Sequence, residues 1–185
     1  NRYRDLIESR VNLGRDPQSG LLVFQSQNRD RARIHGIELN GEANLAGMGL
    51  DAFNATLSVS WVQGEDTQRE LPLNSVDPAR LVLGLNRDSA DGRHRVELLG
   101  RFAAAKDDVD TSRGPLFAPA GYGVFDLFWH YAPTAALRID AGISNLGDRR
   151  YWRWSSVRGF APDAREVDLA THSGRAFMLS LRVGG

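Results

Sequence analysis

Four histidines, His35, His94, His130 and His172, are the side chains of this sequence that titrate near neutral pH. They fall in separate segments without the spacing of metal ligands. With no Cys among 185 residues, a thiolate zinc site and a disulfide framework are both excluded. No G-x-S-x-G, H-E-x-x-H, P-loop or G-x-G-x-x-G sequence is present, and no nucleophile is paired with a base at strand spacing. The chain is therefore read as a non-enzyme, with no catalytic residue and no metal ligand. Two features remain. His172 lies in a long polar stretch beside Asp163, Arg165, Glu166 and Asp168, a set of charges that adds little stability on a solvated loop. Tyr151, Trp152 and Trp154 form a run of flat rings, which either anchors a water–lipid boundary or offers a stacking surface to a ligand. These four residues are the ligand-binding candidates.

The elements that must position them have a period of two, which sends side chains alternately to opposite faces of a strand. Phe53, Ala55, Leu57, Val59 and Trp61 alternate with Asn54, Thr56, Ser58 and Ser60. Leu137, Ile139, Ala141 and Ile143 alternate with Arg138, Asp140, Gly142 and Ser144, and Phe177, Leu179, Leu181 and Val183 with Met178, Ser180 and Arg182. Ile37 and Leu39 oppose Glu38 and Asn40, while Phe125, Leu127, Trp129 and Tyr131 oppose Asp126 and His130. Leu99 and Phe128 break the rule by placing apolar groups in polar rows. Eight strands are predicted, over 1–13, 20–46, 53–65, 77–86, 92–106, 119–132, 135–147 and 174–184, the second with a break near 28–31.

Connections alternate in length, short at 47–52, 86–92 and 132–134 and long and polar at 64–76, 106–118 and 147–174. That asymmetry is the habit of outer-membrane barrels, whose periplasmic turns are tight and whose outer loops are long. Alternation by itself fits two opposite solutions: a soluble barrel with its apolar face inside and an apolar ligand bound there, or a membrane barrel with that face toward lipid. In the second, Leu57, Val59, Trp61, Phe125, Leu127, Leu137, Ile139, Ile143, Phe177, Leu179 and Leu181 are lipid-facing, and Trp129, Tyr131, Tyr151 and Trp152 form aromatic girdles at the two boundaries. Other classes are excluded more simply. Lys+Arg number 23 and Asp+Glu 23, which argues against a nucleic-acid partner. Charges interrupt every apolar run well before the ~20 residues of a membrane helix, and sixteen aromatics in a chain that is 42% hydrophobic argue against disorder. Many charges in the polar rows, interspersed with Gly and Ser, suit a barrel wider than eight strands, whose interior would be filled by side chains.

Four segments resemble the TonB-dependent outer-membrane receptors, specifically their haem/haemoglobin-receptor branch. ARIHGIELNGE (32–42) is similar to the family's "A-R-I-x-G-x-E-L-x-G" strand, LNSVDPARLVLGL (73–85) to its "L-N-S-V-D-P" segment, and APAGYGVFD (118–126) to its "F-A-P-P-G-Y-x-V-x-D" run. GISNLGDRRYWRWSSVRG (142–159) resembles the "N-L-x-D-x-x-Y" box together with a "Y-W-x-W-S-x-V-R-G" extension.

The resemblance implies an all-β, antiparallel, up-and-down transmembrane β-barrel segment of about eight strands, the C-terminal part of a barrel of about 22 strands that surrounds a plug. It implies a bacterial outer-membrane location with the C-terminus periplasmic. It also implies partners in membrane lipid, in the TonB system acting through the plug, and in haem or a haemoprotein offered to the outer loops. Haem is then the transported ligand, with no intrinsic cofactor, and the rings at 151–154 either anchor the outer boundary or offer a stacking surface to a porphyrin or a protein ligand. Residues 1–185 read as one portion of a longer barrel domain, beginning at Asn1 rather than Met, with the plug, the TonB box and the loop bearing the family's "F-R-A-P" and "N-P-N-L" signatures all lying elsewhere. The end, Val183-Gly-Gly185, departs from the family's usual aromatic terminus. A receptor for a ferric siderophore stays open as the alternative cargo, and the soluble barrel as the more distant alternative.

Overall fold

The computed structural model of the protein describes residues 2–184. Among them one antiparallel sheet is built from β1 (Arg2–Arg15), β2 (Leu22–Asn44), β3 (Phe53–Asp66), β4 (Leu71–Pro72), β5 (Arg80–Asp88), β6 (His94–Ala103), β7 (Tyr122–Thr134), β8 (Leu137–Ser144) and β9 (Ala176–Val183). The order across the sheet is β1-β2-β3-β5-β6-β7-β8-β9, with β4 pairing β3 alone. Each long strand thus pairs with its neighbour in the chain, an up-and-down meander. β1 and β9 end the sheet, which does not close on itself among the described residues.

Register carries the period-two pattern across the strands, so one face is apolar from β2 to β9. Ile37 lies opposite Trp61 and Leu39 opposite Val59, Val59 faces Leu81, and Leu57 faces Leu83. The row continues through Leu85, Leu98, Leu127, Ile143 and Phe177, each opposite the next. Among the described residues nothing folds over this face: Phe125 is 44% exposed and Leu179 78%. The other face carries Glu38, Ser58, Glu97, Arg101, Asp126, Asp140 and Arg182, and over it the long connections fold. A soluble barrel would use its apolar face as the covered one; the relation in this protein is the reverse.

Both exceptions to the alternation have a packing reason. Leu99 lies opposite Gly84 and Phe128 opposite Gly142. A Cβ at position 142 would sit 2.7 Å from the Phe128 ring, so the glycine is what makes room for an aromatic on a polar face. The break expected near 28–31 is absent. β2 is not interrupted there, yet Ala32 and Arg29, an odd number of residues apart, are both buried at 3% and 5%. The strand changes which residues it turns inward, as its hairpin with β1 runs on past the end of β3.

At one end the connections are short: 45–52, which holds a 3-10 turn at Ala46–Met48, then 89–93 and 135–136. At the other they are long: 67–79, 104–121 and 145–175, the last containing α1 (Trp154–Val157) and α2 (Arg165–Leu169). β4 and both helices were not predicted. Each is too short to display a period. The most deeply buried apolar side chains lie in these loops: Val157 at 0%, Leu73 at 1% and Trp154 at 2%.

Candidate functional site

The loop cluster is assembled from its base upward. At the end of β8, Asn145 takes a left-handed backbone conformation (φ 51°) that Asn tolerates better than most residues. Its backbone N–H donates to Asp126 Oδ1 at 2.8 Å. Its side-chain amide donates to the carbonyls of Arg149 at 2.8 Å and Ser173 at 3.3 Å, and its Oδ1 accepts the Arg149 N–H at 2.9 Å. One buried side chain therefore ties the two ends of the 145–175 loop together. Asp126, 2% exposed, is held in turn by Arg101 Nη2 at 2.6 Å. Asp148, also at positive φ (50°), accepts the Arg175 N–H at 2.7 Å. The Asn-Leu-Gly-Asp sequence is thus a clasp at the loop's neck.

Above the clasp, Tyr151 is sandwiched between Tyr122, at 4.3 Å between ring centroids, and His172, at 4.9 Å and nearly parallel. The His172 backbone N–H donates to the Tyr151 carbonyl at 3.0 Å. Burial, then the positive charges of Arg153 and Arg101, holds the His172 imidazole below its ordinary pKa. Trp152 donates its indole N–H to the Val167 carbonyl at 2.7 Å, with Arg150 stacked over the ring at 5.0 Å and Phe117 edge-on at 5.3 Å. Trp154 donates to the Asn74 carbonyl at 2.7 Å, and Lys106 lies over its ring at 5.6 Å. Burial lowers the Lys106 pKa. Asn74 exchanges hydrogen bonds with the Asp110 backbone at 3.0 and 2.8 Å, so the three long connections are pinned to one another.

The β1–β2 hairpin joins the same cluster. Arg29 pairs with Glu8 at 2.6 Å and lies within 3.5 Å of Asp66 and 3.7 Å of Asp110, all nearly excluded from solvent. The Ser75 N–H donates to the second Glu8 oxygen at 3.1 Å. Asn12 donates to the Gly159 carbonyl, Phe24 packs on Phe160 at 6.2 Å, and Arg15 pairs with Glu166 at 3.2 Å. The Glu166 carboxyl is held below its usual pKa by a hydrogen bond from its own backbone N–H, then by Arg15.

The predicted site residues therefore fall into two groups. Tyr151, Trp152, Trp154 and His172 come together in the cluster, but Tyr151 at 6% and Trp154 at 2% are internal, whereas Trp152 and His172 are half-buried. Tyr151 and Trp152, expected at the margin of the apolar face, lie over the polar face instead. Their rings find partners in neighbouring loops, which the spacing from β8 did not reveal. At the long-loop end of the apolar face the aromatics are Trp61, with His35 edge-on at 5.8 Å, and Phe102 against Phe125 at 5.5 Å. At the short-turn end Trp129 and Tyr131 stack at 5.7 Å, and His94, missed as a member of the band, stacks on Tyr131 at 4.3 Å. Among the described residues no group of His, Asp and Glu is arranged to hold a metal.

Two cavities open in the cluster. One, of about 300 Å³, lies against the hairpin and is lined by Arg15, Arg29 and Arg113 together with Glu8, Asp110 and Asp163. The other, of about 190 Å³, lies where the upper ends of β5, β6 and β7 meet the 145–175 loop.

Comparison with known proteins matches residues 1–146 to the family described as TonB dependent receptor-like, beta-barrel. Hemoglobin-haptoglobin utilization protein B of Neisseria meningitidis (serogroup A / serotype 4A) is 31% identical over 82% of the chain, and Hemoglobin-binding protein A of Haemophilus influenzae 28% over 84%. The chain spans about a fifth of the length of these curated relatives, 21% and 18%. Among solved structures, the copper transporter OprC superposes on 98% of the chain with a TM-score of 0.76 at 22% identity, this chain covering 27% of it. The ferric enterobactin receptor of Pseudomonas aeruginosa superposes on 99% with a TM-score of 0.68 at 20% identity, again with 27% of that protein covered. At such identities these two speak for the fold alone.

Proposed function

The chain belongs to the TonB-dependent receptor β-barrel family, one of outer-membrane receptors rather than enzymes, and from that premise we propose that it is the C-terminal part of the barrel wall of a receptor importing haem. Haemoglobin or another haemoprotein is the source. The observation that carries the wall reading is the bare apolar face running through seven strands, β2, β3 and β5 to β9, which is stable only against hydrocarbon or another apolar surface. The residues proposed to meet lipid are Leu57, Val59, Trp61, Phe125, Leu127, Leu137, Ile139, Ile143, Phe177, Leu179 and Leu181, with Trp129 and Tyr131 at one boundary. On this reading the short turns and the end of β9 are periplasmic and the loop cluster is outside the cell. The plug, through which TonB acts, occupies the polar side. Free strand edges are costly in lipid, so β1 and β9 pair with the rest of the barrel.

Two curated relatives named for haemoglobin, each aligned over more than four-fifths of the chain, support the cargo. In the cluster, Tyr151 and Trp154 hold the loops together, and the half-buried Trp152 and His172 are the ring surfaces left for ligand contact. Growth decides the cargo: a receptor-null strain carrying the full-length gene is predicted to grow on haem, or on haemoglobin, as sole iron source. Rescue on a ferric siderophore but not on haem would overturn the haem reading and leave the wall intact.

A further inference from the structure

The two cavities differ in how their cations are matched. In the larger, Arg29 answers to three carboxylates and Arg15 to Glu166, while Arg113 donates to Gln27 and Arg158 to Ser9. The smaller is lined by three guanidiniums, Arg80, Arg101 and Arg153, against one carboxylate, Asp77, and by the rings of Tyr122, Trp152 and Trp154. Arg80 pairs with Asp77 at 3.4 Å, and Arg101 gives Nη2 to Asp126. Arg101 Nε, though buried, has no acceptor among the described residues, and Arg153 has no ion-pair partner among them. Both guanidiniums lie near enough to His172 to disfavour its charged form, after burial.

We propose that this cavity is a carboxylate subsite, formed by Arg153, Arg101 and Arg80 and walled by Tyr122, Trp152 and Trp154, which receives the acid edge of the transported porphyrin. The inference rests on the haem-import reading. Guanidinium forks bind carboxylates through paired hydrogen bonds, and aromatic walls lower the dielectric around them. At about 190 Å³ the cavity is below the ~300 Å³ of a whole small-molecule site, so it suits an acidic arm rather than a macrocycle. The cavity lies at the long-loop end of the polar face, where a ligand descending from the loop cluster would meet it before the strand interior.

The test measures binding of protoporphyrin IX and of its dimethyl ester to the purified full-length receptor, with and without Arg153→Ala and Arg80→Gln. Taking variant-to-wild-type ratios for each porphyrin cancels its partition into detergent. The paired substitutions are predicted to weaken the diacid about tenfold or more and to leave the ester nearly unchanged, the loss of at least one charge-assisted contact. Arg113→Ala, at the larger cavity, is predicted to alter neither. If both porphyrins weaken together, or neither does, the subsite is overturned while the haem reading stands. If the wild-type receptor binds neither porphyrin, the haem reading falls and takes the subsite with it.

Discussion

The strand wall and the loop cluster use the same kinds of residue in opposite ways. In the wall, Phe177 and Leu179 stand 73% and 78% exposed. In the cluster, Val157, Leu73 and Trp154 are sealed at 0–2% around a small core. Charges follow the same division: Arg95 and Asp88 of the wall pair at 2.7 Å with both side chains about half exposed, whereas Arg29 and Glu8 of the cluster pair at 2.6 Å nearly dry. On the proposed wall reading, the two regions are folded against different solvents. A segment meeting water must bury its apolar groups within itself, and a strand meeting hydrocarbon gains nothing by doing so.

The comparison is broken most severely at the cluster's centre. Trp154→Ala is predicted to cost about 3–5 kcal/mol of loop stability, because it empties a packed site and frees the Asn74 carbonyl. Hydrogen exchange should then show 145–175 losing protection while β3 and β6 keep theirs. At the wall, Leu57→Arg is predicted to cost about 2–4 kcal/mol in lipid refolding titrations, the price of a cation at mid-depth. Ser58→Arg, one residue along on the polar face, should cost much less. At the clasp, Asn145→Ala removes three hydrogen bonds and places Ala at φ 51°, for an expected loss of about 1–3 kcal/mol read as faster proteolysis within 145–175.

The smallest effect is a pH dependence confined to the cluster. The folded-state pKa of His172 lies below its unpaired value of 6.5, so the folded loop disfavours the proton and the unfolded loop accepts it. Loop protection is therefore predicted to be complete above that value and to decline as pH falls through it toward the lower folded pKa. His172→Phe should keep the ring contact with Tyr151 and flatten the profile, measured by hydrogen exchange of 145–175 across that range.

Legibility in the sequence divides along the same line. The wall could be read because a strand facing two solvents writes its environment into every second residue, as from Phe53 to Trp61; even Leu99 and Phe128, which break the pattern, were visible as exceptions. Their explanation required Gly84 and Gly142 on neighbouring strands, and pairing is not local information. The cluster left almost no such trace. Tyr151 and Trp152 looked like boundary aromatics because they follow β8 closely, and only the contacts with Tyr122, His172, Phe117 and Val167 show that they turn inward over the polar face. Glu8, Arg29 and Asp66 lie far apart in sequence and carry no periodic signal of meeting. The clasp was half legible: Asn145 to Asp148 stood out as part of the box that carries the family resemblance, but its hold on Ser173 depends on where the loop returns.

The central claim is that the bare face meets lipid. A small fluorophore attached to single cysteines at Leu57, Ile139 and Leu179, and separately at Ser58, Asp140 and Ser180, in the full-length receptor reconstituted with spin-labelled lipids, reads it directly. Strong quenching at the first three positions and weak quenching at the second three is the predicted result. The reverse period, or equal quenching on both faces, would contradict it.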